Sequence, residues 1–147
     1  MNYKEIMDII SGITTSHHFV NQFGYGEISD VMTPEDTSSP NYPYVFVNPI
    51  QISSTRNTST FNFNFICMEQ TFETYKDIIT AQSECITILN DIISKINLST
   101  TYPLLEVQDG FIFTPFVERM KDNVVGASCS VNIIYSSPLD VCDKPFV

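Results

Sequence analysis

A chain of 147 residues, 43% of them hydrophobic, carries enough apolar material for one domain with its own core and no need of disulfide staples. Its 17 acidic residues against 7 basic ones give a formal net charge of −10, which argues against a reader of nucleic acid, since phosphate binding needs clustered Lys and Arg. The opening MNYKEIMDIISG mixes acids with apolar residues, so it offers neither the apolar run of a signal peptide nor that of a membrane span, and synthesis in the cytoplasm is expected.

From Tyr3 to Ile13, the residues Tyr3, Ile6, Met7, Ile10 and Ile13 fall on one helical stripe with Lys4, Glu5, Asp8 and Ser11 opposite, which predicts a short amphipathic helix. HHFVNQFGYGEISDVM, 17–32, reads as loop with room for a short strand. MTPEDTSSPNYPY, 32–44, is rich in Pro and Ser and reads as an exposed connection. Val45, Val47 and the residues up to Ile52 predict a strand, edge or irregular because of Pro49, and SSTRNTS, 53–59, predicts a hairpin loop. The next stretch, TFNFNFICME, sets Phe61, Phe63, Phe65 and Cys67 on one parity and Asn62 and Asn64 on the other, so an antiparallel strand pair is expected.

Thr74 with Asp77 resembles a helix-starting cap, and Ile78, Cys85, Ile86, Leu89, Ile92, Ile93 and Ile96 then form one stripe. Lys76, Thr80, Ser83, Glu84, Thr87, Asn90, Asp91 and Ser94 make an opposite arc expected to hold no apolar residue, and Asn97 and Pro103 mark the end. GFIFTPFVER, 110–119, predicts a strand placed at an edge or bulge by Pro115, and MKDN, 120–123, a turn. In VVGASCSVNIIYSS, 124–137, Ala127, Cys129, Val131, Ile133 and Tyr135 alternate with Ser128, Ser130 and Asn132. The order predicts an α+β fold: a mainly antiparallel sheet covered on one face by the long amphipathic helix and the short N-terminal helix. A single domain, 1–147, is expected, with an exposed loop near 32–44, a C-terminal tail near 138–147 and no internal repeat.

Cys67, Cys85, Cys129 and Cys142 form no CxxC pair and read as buried thiols. His17 and His18 are adjacent, so their rings diverge, and no His or Cys lies at ligand spacing. Gly24-Tyr25-Gly26 lacks the Lys, the third Gly and the following helix of a phosphate loop and reads as a turn. No local nucleophile or zinc signature occurs, and Asp8, Glu69, Glu73, Asp77, Glu84, Asp91 and Glu118 read as solvated faces. No catalytic, cofactor-binding or metal-ligating residue is therefore nominated. What stands out is the second parity of the sheet, with Asn62, Asn64, Ser128, Ser130 and Asn132 polar yet uncharged. An ordinary solvated face is the plain reading, although such faces more often carry Lys and Glu, and an uncharged one better suits a neighbouring subunit.

Four segments together, SHHFVNQFGYGEISDV, NYPYVFVNP, TFNFNFICMEQTFETYKDIITAQSECITILNDII and FTPFVERMKDNVVGASCSVNIIYSSPLDVCDKPF, resemble the small head-to-tail joining proteins of tailed bacteriophages. The likeness is to the tail-completion or tail-terminator-like kind found in crAss-like and related phages. Its most specific part is FTPF, the Glu118-Arg119 step, the Val-Val-Gly-Ala stretch and the closing Asp-x-Cys-x-x-Pro-Phe at 140–146. The resemblance implies an α+β core, no enzymatic activity, no cofactor, and a ring of identical subunits in the neck or tail of the virion, made in the host cytoplasm. Its partners would be copies of itself, neighbouring neck, portal or tail proteins, and genome DNA that passes without specific binding; no membrane is involved. Candidate contact residues are Tyr42, Tyr44 and Phe46 in NYPYVF, the carboxamides Asn62 and Asn64, and Pro145 and Phe146 in the tail. The alternative from another class is a soluble module, without catalysis, whose sheet face or Tyr-rich loop holds a small ligand or a protein.

Overall fold

The alternating and helical stripes meet in a computed structural model that describes residues 3–27, 42–70, 75–97, 105–119 and 123–136. In chain order the elements are α1 (Tyr3–Thr15), β1 (Gln22–Tyr25), β2 (Tyr44–Ser54), β3 (Thr58–Gln70), α2 (Tyr75–Asn97), β4 (Leu105–Val107), β5 (Phe113–Arg119) and β6 (Asn123–Ser136). The sheet runs β1-β2-β3-β6-β4, with β5 also paired to β6, and only the β1–β2 pair is parallel. This is the α+β architecture expected, with two strands too short for a periodic signal, β1 and β4, at opposite ends. The cap at Thr74, the Pro103 stop, most of the loop at 32–44 and the tail at 138–147 lie outside the described residues.

One face of the sheet is closed by the helices. Phe61, Phe63, Phe65 and Cys67 of β3, Val45 and Val47 of β2, and Ala127, Cys129, Val131 and Ile133 of β6 pack against α1 and α2 in one core. From α1 come Ile6, Met7 and Ile10, and from α2 Cys85, Ile88, Leu89, Ile92, Ile93 and Ile96. Each large side chain taken fully from water contributes roughly 1.5–3 kcal/mol, so this layer supplies most of the driving force. The α2 stripe is rotated slightly from the one read in the sequence: Ala81 and Ile88 are buried, while Ile78 and Ile86 are only half-buried. Its outer arc also holds an apolar residue after all, since Ile79 is 58% exposed.

Proline explains where the ladder is irregular. β1 pairs with β2 only from Tyr44 to Val47, so Pro49 falls where, among the described residues, β2 has only β3 beside it, and the register shifts between Pro49 and Gln51. Pro115 likewise lies in β5, whose only strand partner among the described residues is β6. The β2 and β3 strands extend further than expected, leaving only Thr55–Asn57 as the loop; Thr55 N–H donates to the Thr58 carbonyl at 2.8 Å and the two Thr hydroxyls lie 2.8 Å apart. At the far end of α2, Asn97 Oδ1 accepts from Val107 N–H at 3.1 Å, tying the helix terminus to β4.

Candidate assembly surface

The second face of the sheet divides into two zones, and register shows why. Tyr44 aligns with Met68 and Gly126, and Phe46 with Ile66 and Ser128. Tyr44, Phe46, Ile66, Met68 and Val124 form a second buried cluster, with Tyr42 and Phe116 half-buried against it. Tyr44 and Phe46, expected at a subunit contact, are therefore packed within their own chain. The cause is their place in an interior strand, flanked by β1 and β3, where an aromatic side chain has neighbours on both sides. The Tyr44 hydroxyl lies over Gly24 so closely that a Cβ there would collide with it, so Gly24, expected in a turn, packs within β1. Tyr42 keeps partial exposure, and its carbonyl accepts from Asn21 Nδ2 at 2.6 Å. Pro145 and Phe146 lie outside the described residues.

Beyond this cluster the same face turns polar. Asn48, Asn64 and Ser130 occupy one cross-strand row, and Gln51, Asn62 and Asn132 the next. Asn62 Nδ2 donates to Asn132 Oδ1, and Asn132 Nδ2 donates to Gln108 Oε1 at 3.1 Å, so the carboxamides form a relay across β3, β6 and the residue after β4. Asn48, Asn62, Asn64 and Asn132 are half-buried, whereas Gln51, Gln108 and Ser130 are exposed. The belt contains no charged side chain; Glu106, aligned with Ile134, stands at its margin. Asn48, Gln51 and Gln108 were not singled out from the sequence. Simple alternation from Phe46 and Asn48 would put Ile50 on this face, but the shift at Pro49 seats Gln51 opposite Asn62 instead.

Such a belt can donate and accept hydrogen bonds but cannot move a proton at neutral pH. Several ionisable groups elsewhere take part in hydrogen bonds or lie buried. His17 Nδ1 accepts from Phe19 N–H at 3.1 Å, which leaves the proton on Nε2, and Nε2 lies 3.0 Å from Asp91 Oδ2. Both ring nitrogens are thus engaged in a clasp between the end of α1 and α2. The Cys67 thiol is pushed up by its hydrogen bond with the Cys85 thiol and by burial, and burial pushes Cys129 up as well, so both stay protonated. Burial raises the Glu69 carboxyl, with Glu84 adding to the effect, against a lowering by the Gln70 N–H. Cys67, Cys85 and Cys129 are free and buried, while Cys142 lies outside the described residues. Among the described residues no group of three or more His, Cys, Asp or Glu is placed to hold a metal ion, and no helix is long and apolar enough to cross a membrane. No protein-family model matches the chain, and no curated protein matches it in sequence.

Proposed function

We propose that the chain is a structural subunit of a tailed-phage virion that closes with identical copies into a ring at the head–tail junction, with the carboxamide belt turned to a neighbouring subunit. The ring and its place in the virion come from the sequence resemblance. The observation that supports an assembly role is the belt itself: in a chain of net charge −10, two successive cross-strand rows of one sheet face carry only Asn, Gln and Ser. A face kept soluble by water alone ordinarily carries Lys and Glu, and a face that must be desolvated against a neighbour avoids them because burying a charge is costly. The role is non-catalytic and needs no cofactor. The acidic surface repels the phosphates of DNA passing through the ring.

The test is Asn64→Glu with Ser130→Glu, made in the genome of the phage that encodes the chain. Half-buried and exposed positions accept the change with the fold kept, and the variant is expected to stay soluble and fail to enter virions. A reconstruction of the particle in which this chain is absent from the neck, or in which the belt faces open solvent, overturns the assignment.

A further inference from the structure

The two edges of the sheet are finished differently. At the β4/β5 edge the outward backbone is interrupted at two points: Pro115 within β5 has no N–H to offer, and Val107 N–H of β4 is bound by Asn97. Each of these keeps another strand from adding there. At the opposite edge, β1 covers β2 only as far as Val47, whose carbonyl accepts from Gly26 N–H at 3.1 Å. From Ile50 to Ser54, β2 is exposed throughout and has no strand beside it, among the described residues, other than β3.

The hairpin bond from Thr55 N–H to the Thr58 carbonyl determines which backbone groups point outward. Counting back along the antiparallel ladder, Ser53 and Gln51 turn theirs toward β3, so Ile52 and Ser54 turn theirs away from it. Ile50 and Ile52 are 54% and 49% exposed, and the stretch has no Lys, no acid and no Pro to discourage pairing.

We propose that Ile50–Ser54 is a β-augmentation edge whose occupant is the same stretch of a second copy of this chain, the two strands running antiparallel about a two-fold axis at Ile52. An outward row of alternating N–H and C=O groups is complemented by an extended strand. The occupant follows from two features. Among the described residues the far edge is interrupted by Pro115 and by the Asn97–Val107 bond, so a copy answers with this edge and not with β4 or β5. Charge selects the same contact: residues 44–68 contain no acid and a single base, Arg56, so two copies of a chain at −10 meet here without opposing carboxylates. The antiparallel register carries Arg56 of each copy toward the end of β1 in the other, where the exposed Glu27 follows Gly26. The contact is isologous and closes after two copies, so it does not rest on the ring assignment.

A single short strand pair is small beside the ~1,600 Å² of a standard interface, so the equilibrium is read by sedimentation from micromolar to millimolar protein. The wild-type chain is expected to pass from monomer to dimer over that range. Ile52→Lys places like charges at the axis, and Ile52→Pro removes the outward N–H while sparing the bonds to β3; both are expected to weaken the dimer at least tenfold with melting temperature unchanged. If Ile52→Pro perturbs the fold, Ile52→Lys alone carries the test. Ser130→Glu on the belt is expected to leave the dimer intact, which separates this contact from the ring. A wild-type chain monomeric at millimolar concentration, or a dimer that survives Ile52→Lys, overturns the proposal.

Discussion

The same substitution, Gly to Ala, should act with opposite signs at two places. In β6, Gly126 faces Met68 across the ladder, and an added Cβ would run into the Cys67 carbonyl oxygen while sitting 3.0 Å from the Cys67 carbonyl carbon and 3.1 Å from Met68 Cα. The obstacle is backbone in the central pair of strands, so relief requires parting β3 from β6 or rotating a peptide. Overpacking of this kind costs about 1–3 kcal/mol, and the rigidity of the obstacle places Gly126→Ala at the upper end. Gly12 is exposed within α1, and nothing lies within 4 Å of its Cβ position. There Ala gains about 0.5–1 kcal/mol by removing the backbone entropy a helical Gly loses on folding. With about 2–4 °C per kcal/mol for a chain of this size, Gly126→Ala should lower the melting temperature by about 6–12 °C and Gly12→Ala raise it by about 1–4 °C. Thermal melts followed by circular dichroism, with urea titration as a second measure, read both. A Gly126→Ala protein that melts with the wild type would refute the β3–β6 register, and a destabilised Gly12→Ala would refute the open face assigned to α1.

Leu89→Asp should unfold the chain or cost at least about 3 kcal/mol, since it places a carboxylate in the layer between α2 and the sheet, while Glu84→Ala on the solvated arc should change stability by less than about 0.5 kcal/mol; equal losses in urea titrations would mean that α2 is rotated. The raised Glu69 carboxyl binds its proton more tightly in the folded chain than in the unfolded one, so its contribution to stability is full below the unfolded carboxylate pKa, about 4.3, and is lost as pH rises through the folded value. Glu69→Gln should therefore raise the melting temperature at pH 7 by the order of 1 °C, kept small by solvent access, with the advantage disappearing near pH 4; a gain that grows on acidification contradicts the assignment. Asn132→Ala should cost about 1 kcal/mol by leaving the Asn62 and Gln108 amides without their shared partner, and a double-mutant cycle with Asn62→Ala should return a coupling of about 0.5–1 kcal/mol; additive losses would show that the relay carries no energy.

Long, strictly periodic elements were legible in the sequence because packing imposes the period. The Phe61, Phe63, Phe65, Cys67 alternation and its counterpart in β6 lie under the helices as expected. β4, with three residues, is too short to show a period, and its place depends on pairing with residues nearly thirty positions away. Residues of NYPYVF resembled an exposed adhesive segment because Pro and Tyr favour turns and interfaces, yet its Tyr44–Val47 portion is a continuous apolar run. Such a run marks a strand buried on both faces. The same holds for Phe65–Met68, its partner in β3, and both stretches are buried throughout. Asn62 and Asn64 were legible as the outward parity, whereas Gln51 joined them only through a bulge that no simple alternation anticipates.

The way the two zones of the sheet are joined bears on what the belt can do. Asn48 follows directly from the buried Tyr44–Val47 run of β2, and Asn64 directly precedes the buried Phe65–Met68 run of β3, so these two carboxamides adjoin backbone packed on both faces. Asn62 and Asn132 are further held by their mutual hydrogen bond. Side chains already ordered lose less entropy on contact, and neutral amides lose less solvation than ions would, so two of the main costs of association are reduced before a neighbour arrives. The helical side is charged: Glu5 and Asp8 on α1, the latter paired with Lys4, and Glu84 and Asp91 on α2, the latter against His17, make its desolvation by another copy more costly. In the proposed ring the belt is therefore the favoured one of the two unlike surfaces that closure requires of each subunit. Reversing that preference takes a change of charge on both sides: Asn64→Glu with Ser130→Glu on the belt, and Glu84→Gln with Asp91→Asn on α2. A variant carrying all four that still joined its neighbours through the sheet would show that charge is not what orients the assembly.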